Sequence, residues 1–330
     1  MRFPGLLAIT LALSAAPAAQ WPRQPTPEQP EQAPTIKVDV DVVNVLCTVR
    51  NRNGGLVKDL TKDDFQVYED GKLQPIRYFS RETDLPLTIG LLVDVSRSQE
   101  RLLETEKRAA AQFFSQVLRK QDMAFLISFG SDAQLEQDFT NSQRLLRAAL
   151  EGLRVRSDPG GLYPGPVPTV TRPRGTVLFD AVYLAAREKL RGEVGRKALV
   201  LITDGVDMGS RVRLDDALEA AQKADAIIYS VHYFDPAAYS GMWVRADDHD
   251  LKKLSEQTGG RLFRVGRKQT LESIFDEIQQ EMRSQYSLGY TPSNPARDGS
   301  FRRIEIRTRQ KDLKVQARKG YYAEPPAAVQ

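Results

Sequence analysis

The sequence predicts an α/β chain with a doubly wound, mostly parallel sheet of Rossmann-like type. This sheet is inserted in, or flanked by, a small β-sandwich built from N- and C-terminal strands. Three observations point there. Across 86–283, short β-rich apolar runs alternate with amphipathic helical segments, as in a parallel sheet covered on both faces. Strand-like segments lie before and after that region, with period-two alternation where one face is buried. Neither flank is large enough to bury a core alone, so the two are expected to pair.

Composition narrows the class. The 330 residues are 41 % hydrophobic and 27 % charged, a globular balance sized for about two domains. Mean hydropathy is −0.42, and only the extreme N-terminus carries a long uncharged apolar run, which excludes a multi-span membrane protein. A single cysteine excludes a disulfide scaffold and a cysteine-based zinc site. Two histidines argue against a His-rich metal site. A net charge of +4 is too small to imply nucleic acid.

Residues 1–19 read as a secretory signal: Arg2, an apolar core over 6–13, and a small-x-small site at Ala16-Pro17-Ala18. No lipobox cysteine is present, and the run is short for a bilayer span. The expected location is therefore secreted, periplasmic or cell-envelope, the alternative being an uncleaved anchor. Residues 20–35 hold five prolines and read as a flexible linker.

The N-terminal β module covers 36–85, with strands at 36–49, 65–68 and 75–80. Turns fall at Asn53-Gly54-Gly55 and Asp70-Gly71. Cys47 sits in an apolar strand and reads as a core thiol. The α/β domain covers 86–283. Its strands are expected at 87–93, 123–129, 198–202, 226–232 and 262–265, with an antiparallel edge strand at 133–139. Helices are expected after Ser98 and at 142–150, 178–190, 214–224, 249–257 and 271–282. Strands at 286–290, 302–308 and 313–317, within 284–324, then pair with the N-terminal module. No phosphate-binding glycine motif opens a helix.

The informative residues follow two of these strands. Asp94-Val95-Ser96-Arg97-Ser98 ends the first, Thr176 opens a later helix, and Asp204-Gly205 ends the fourth. Alone, each has an ordinary structural use: Ser96 with Gln99 resembles a capping box, Thr176 an N-cap, and Asp204-Gly205 a turn. In a sheet ordered 3-2-1-4-5-6, however, strands one and four are neighbours about 4.8 Å apart. The two carboxylates then converge at the switch point where such folds bind ligands. Anions that close repel unless a cation lies between them. The other donors are hydroxyls, so the set suits a hard divalent cation, Mg²⁺ first, with Mn²⁺ or Ca²⁺ as alternatives.

Asp94-x-Ser96-x-Ser98 with Thr176 and Asp204-Gly205 resembles the metal-ion-dependent adhesion site (MIDAS) of von Willebrand factor A (VWA) domains, over about 86–283. The resemblance implies that Ser96, Ser98 and Thr176 ligate the metal directly while Asp94 and Asp204 act largely through water. It also implies an open coordination position that takes a carboxylate from a partner protein. Arg97 departs from the glycine usual between the two serines, and could recruit an acidic partner or crowd the mouth. The flanks, with Asp59-Leu60-Thr61 to Gly71 and Tyr286-Ser287-Leu288-Gly289-Tyr290 to Tyr322, resemble secreted VWA-related proteins typical of acidobacteria.

Other features carry two readings. The Pro/Gly-rich stretch 157–174, with Tyr163, Arg172 and Arg174, is either a functional rim or a surface insert. His232 reads as a core or strand-end residue. The acidic run around His249 reads as helix caps, with a second cation site as the alternative. Residues 301–319 hold eight Lys or Arg against two Asp or Glu. They read as a solvated, edge-protecting face, with an anionic partner as the alternative. The function expected is a non-enzymatic, secreted module that captures an acidic group of a partner protein through a divalent cation. The alternatives are a metal-dependent hydrolase, against which stands the lack of a general base in the motif segments, and a structural module whose site is a relic.

Overall fold

The computed structural model describes residues 42–82, 85–156, 175–239 and 247–325. Val40–Gln330 clusters as one compact unit; the other unit, Met1–Asp39, lies outside the described residues, as do the expected signal, the linker and the start of the 36–49 strand.

Four strands come first: β1 (Val43–Arg50), β2 (Phe65–Glu69), β3 (Lys72–Gln74) and β4 (Ile76–Glu82). Asp70 and Gly71 both take positive φ (47° and 80°) and join β2 to β3 in two residues, the Asp-Gly turn that matches strand twist. The α/β region follows as β5 (Leu87–Asp94), α1 (Leu103–Val117), β6 (Met123–Phe129), β7 (Ala133–Thr140), α2 (Gln143–Gly152), α3 (Leu178–Leu184), β8 (Arg196–Thr203), α4 (Leu214–Lys223), β9 (Ala226–His232), α5 (His249–Thr258), β10 (Leu262–Arg264) and α6 (Leu271–Met282). The chain then returns to strands β11 (Gln285–Tyr290), β12 (Phe301–Thr308), β13 (Lys314–Ala317) and β14 (Gly320–Tyr322).

The central sheet runs β10-β9-β8-β5-β6-β7. Every pairing is parallel except β6 with β7. Counted along the chain this is the 3-2-1-4-5-6 order, with the polar-edged segment as the antiparallel edge. The apolar strands are buried on both faces. Ile89, Leu91, Val93 and Val200 pack with α1, α2 and α6, where the Phe113 and Phe275 rings stack 4.6 Å apart. Leu92, Phe125, Leu199 and Leu201 pack with α3, α4 and α5. Central strands therefore read as continuous apolar runs, while each side chain serves one layer.

Two antiparallel sheets, β13-β1-β11-β4 and β14-β12-β2-β3, form the sandwich. N- and C-terminal strands alternate in both. β1 lies between β11 and β13, and β2 pairs with β12. Val45, Cys47, Phe65, Val67, Tyr286 and Leu288 fill the space between the sheets. Burial there pushes the Cys47 thiol well above its usual range. The fold class read from the sequence is the one observed. The carboxylate of Glu281, on α6, ties the sandwich to the α/β layers: it accepts from Arg50 of β1, from Arg261 at 3.0 Å and from Gln316 of β13 at 3.2 Å.

Local details differ from expectation. The helix expected after Ser98 begins at Leu103, behind a short 3₁₀ turn at Arg97–Gln99. No α-helix N-terminus therefore points donors at Ser98, and a helix dipole adds little there. β3 (Lys-Leu-Gln) and β14 (Gly-Tyr-Tyr), three residues each, are absent from the expected strands because neither carries an aliphatic run. The 178–190 helix changes at Ala185, whose N–H is shared between the Ala181 and Val182 carbonyls; a π-turn, Ala185–Leu190, follows. Among the described residues, no helix is long and apolar enough to cross a membrane.

Candidate functional site

β5 and β8 are adjacent and parallel, with Val93 opposite Ile202. Asp94 and the Thr203-Asp204 pair therefore emerge together at the C-terminal crest of the sheet. Both carboxylates are withdrawn from solvent, with Asp94 0 % and Asp204 1 % exposed. Asp94 Oδ1 accepts from the Ser96 amide at 2.9 Å, and its Oδ2 accepts from the Thr203 hydroxyl at 2.6 Å. Asp204 Oδ1 accepts from the Val206 amide at 3.1 Å, and its Oδ2 from the Tyr239 hydroxyl at 2.6 Å. Gly205, at φ +85°, makes the turn that lets Val206 reach back.

The serines lie beside Asp94. Their hydroxyls are 3.0 Å apart, and Ser96 makes no side-chain cap to the 3₁₀ turn. The capping-box reading is thus corrected, because the Ser96 side chain faces Ser98 instead. Arg97, between them, is exposed.

Thr176 is held by backbone bonds near the end of β6. The Val177 amide donates to the Gly130 carbonyl at 2.8 Å, at the end of β6, and the Thr176 carbonyl accepts from the Met208 and Gly209 amides at 3.0 and 3.1 Å. A side chain at Gly175 would meet Met208 Cβ at 2.4 Å, so only glycine allows this approach. Thr176 does not cap α3, which corrects the N-cap reading. Asp207 Oδ1 accepts from the Leu178 amide at 2.9 Å, and Ser210 Oγ accepts from the Phe179 and Asp180 amides at 2.9 and 3.1 Å. With these two supplying the cap, the Thr176 hydroxyl is not needed for it.

The electrostatics are unusual. Burial first, and the Asp204 charge second, push Asp94 up to about 7, against the bonds from Ser96 and Thr203. Glu106, on α1, is fully buried, and neither of its carboxylate oxygens has a hydrogen-bond partner. Burial raises it well above the usual range, and the charges of Asp94 and Asp204 raise it further. Among the described residues no Lys, Arg or His forms an ion pair with any of these three carboxylates. Such a cluster is costly unless protonated or neutralised by a cation. Among the described residues no group of three or more His, Cys, Asp or Glu side chains is arranged to hold a metal, at the crest or around His249. At the crest, the donors are two carboxylates and hydroxyls, an all-oxygen set whose chemistry fits a hard divalent ion.

Sequence reasoning missed Tyr239, Thr203 and Glu106. Tyr239 comes from a 3₁₀ turn, Pro236–Tyr239. Its ring stacks on Phe234 at 5.2 Å and 7°, and Phe234 lies over His232 at 6.1 Å. Thr203 sits beside the named Asp204, and the apolar run before it was the available signal. For Glu106, the signal was a charged residue among the apolar positions of α1. His232 closes β9, where its Nε2 lies 3.0 Å from the Asp204 carbonyl; burial lowers its basicity. Asp247 turns the chain by accepting from the His249 amide at 3.0 Å, while Asp248 bonds Arg264. The 157–174 stretch lies outside the described residues.

No family model matches the chain, and no curated protein matches it closely. Solved structures overlap it at low identity. A conserved hypothetical protein, BatB, from Bacteroides thetaiotaomicron is 20 % identical and covers 60 % of this chain and 97 % of its own, at a TM-score of 0.45. The SpRpn10 VWA domain is 15 % identical over 58 % of this chain and 95 % of its own, at 0.40. Proximal thread matrix protein 1 of the mussel byssus, with a zinc-occupied MIDAS motif, is 12 % identical over 65 % of this chain and 49 % of its own, at 0.48. None of these overlaps assigns a role to a residue of this chain.

Proposed function

We propose that the chain is a VWA-type binding module whose crest holds a divalent cation and, through it, an acidic group of a partner protein. Ser96, Ser98 and Thr176 would hold the ion directly, with Asp94 and Asp204 behind them through water. The observation that carries the reading is the pair of buried, converging carboxylates beside the two serine hydroxyls, with no basic partner among the described residues. A bound divalent ion supplies positive charge and an open position for a carboxylate. The protein's own part is to orient that position. Thr203 and the Ser96 amide fix Asp94, Tyr239 and the Val206 amide fix Asp204, and exposed Arg97 adds a cation at the rim that favours an acidic partner. Mg²⁺ suits a site of two carboxylates that keeps waters. The leader-like N-terminus supports a secreted, periplasmic or envelope location for the module, and the flanking motifs support a likeness to the secreted acidobacterial VWA-related type.

The reading is non-enzymatic. His232 is buried and engaged with the Asp204 carbonyl, so it is not placed as a general base at the crest.

Thermal melting with and without millimolar Mg²⁺ tests the cation, and pull-down from an envelope fraction with and without chelator tests its purpose. A ligand at 100 times its dissociation constant adds about 2.7 kcal/mol. The expected result is stabilisation that Asp204→Ala abolishes, with capture lost in chelator. No cation-dependent stabilisation, or capture indifferent to chelator, would overturn it.

A further inference from the structure

The basic stretch 301–319 plays no part in the crest. It lines a cleft of about 680 Å³ on the sandwich, between β12 and β13 and against the end of α5. Half-buried Ile306 and Val315 give it an aliphatic lining, with Ile304 behind them in the sandwich core and Phe301 and Tyr68 among its aromatic residues. Phe301 is 41 % exposed, high for a phenylalanine. The cleft thus combines apolar lining with a few charged groups, and its size is that of a ligand site.

Its charges are ordered. The Ile304 amide donates to the Lys319 carbonyl at 2.9 Å, and Arg303 lies opposite Gly320. Arg303 and Lys319 therefore lie one register step apart, where β12 meets the start of β14. The Lys319 amide is in turn bonded to the Gln257 carbonyl at 3.0 Å, which fixes the far wall. One carboxylate, Glu305, lines the cleft. It is held by two bonds from Arg307, at 2.7 and 2.9 Å, and the nearby charges of Arg303 and Lys319 also favour its ionised form. Arg318 is committed to Asp225 and to the Asn44 carbonyl. Arg303 and Lys319 are exposed and form no ion pair with another described residue. An edge-protecting face needs charge on the strand's outer side; it does not need two unpaired cations set over an apolar hollow.

We infer that this cleft binds an acidic peptide segment. Carboxylate side chains pair with Arg303 and Lys319, and apolar side chains between them settle against Ile306, Val315 and Phe301. Arg303 offers a planar fork that suits a carboxylate, and Lys319 a point charge. The aliphatic lining favours a peptide over a sulfated glycan or nucleic acid, which would leave it unused. The cleft is separate from the crest, so its binding is independent of divalent cations.

The test uses a short fluorescein-labelled peptide of alternating glutamate and leucine, with fluorescence anisotropy on the full chain. The expected result is binding that persists in chelator, weakens about tenfold in Arg303→Ala and in Lys319→Ala, and weakens in Phe301→Ala. Arg309→Glu with Lys311→Glu, on the same basic stretch outside the cleft, leaves it little changed. All of these positions are exposed, and melting curves verify folding. Absence of binding, equal binding to the alanine variants, or equal loss in the Arg309/Lys311 control overturns the proposal. So does tighter cleft binding of a sulfated oligosaccharide, an oligonucleotide or an anionic vesicle.

Discussion

The buried carboxylates make stability depend on pH in an uncommon direction. Asp94 stands at about 7 in the folded chain against an ordinary aspartate value of 3.8. Between those values the folded state keeps a proton that the unfolded state has released. With divalent ions stripped by a chelator, stability therefore falls as pH rises from about 4, and the loss is complete above about 7. The gap of about three pH units, at roughly 1.4 kcal/mol each, bounds the loss from Asp94 at about 4 kcal/mol. Glu106 is raised too and acts in the same direction. Saturating Mg²⁺ should offset the loss and bind more tightly as pH rises, because the ion displaces the proton. The assay is urea unfolding followed by far-ultraviolet circular dichroism at steps from pH 4 to 8. Asp94→Asn, neutral and nearly isosteric, should flatten the downward slope in chelator. Parallel wild-type and Asp94→Asn curves would refute the reasoning.

Tyr239→Phe removes the hydroxyl that orients Asp204, so divalent-ion affinity, read by calorimetry, should drop about tenfold to a hundredfold, the usual consequence of losing a ligand's supporting bond. Asp207→Ala should cost about 1 kcal/mol in urea unfolding by uncapping α3; because the same turn holds the Thr176 carbonyl through the Met208 and Gly209 amides, ion affinity should fall with it. Glu281→Ala leaves Arg50 and Arg261 without their shared buried carboxylate, and a loss of about 3 kcal/mol is expected in urea unfolding. Gly90→Ala would set a Cβ 2.3 Å from the Phe125 ring in the central strand, and overpacking of this kind costs about 1–3 kcal/mol, measurable as a lowered melting temperature.

Much of this architecture was legible in the residues. Strands buried on both faces announce themselves as apolar runs, and Ala133–Thr140 stood out as an edge because its polar residues suit a strand with one free side. That fixed β5 and β8 as neighbours, and with them the shared crest of Asp94 and Asp204. What was not legible is what has no period or is brought in by tertiary contact. Tyr239 reaches Asp204 across 35 positions from a turn with no repeating pattern. Asp207 and Ser210 cap a helix that precedes them in the chain, a role that local rules assign to the residue just before the helix. The α1 start moved to Leu103 because the chain after Asp94 first folds back through the Ser96 amide and a 3₁₀ turn. Glu106 sits where an apolar residue would complete the face, and only its burial beside the crest carboxylates gives that position meaning.

Crystals grown with Mn²⁺ and measured for anomalous scattering probe the crest most directly. One strong peak is expected among the hydroxyls of Ser96, Ser98 and Thr176, with Asp94 and Asp204 behind it, and it should vanish in Asp94→Ala crystals. An empty crest at millimolar Mn²⁺, or a peak lodged elsewhere on the chain, would contradict the cation site.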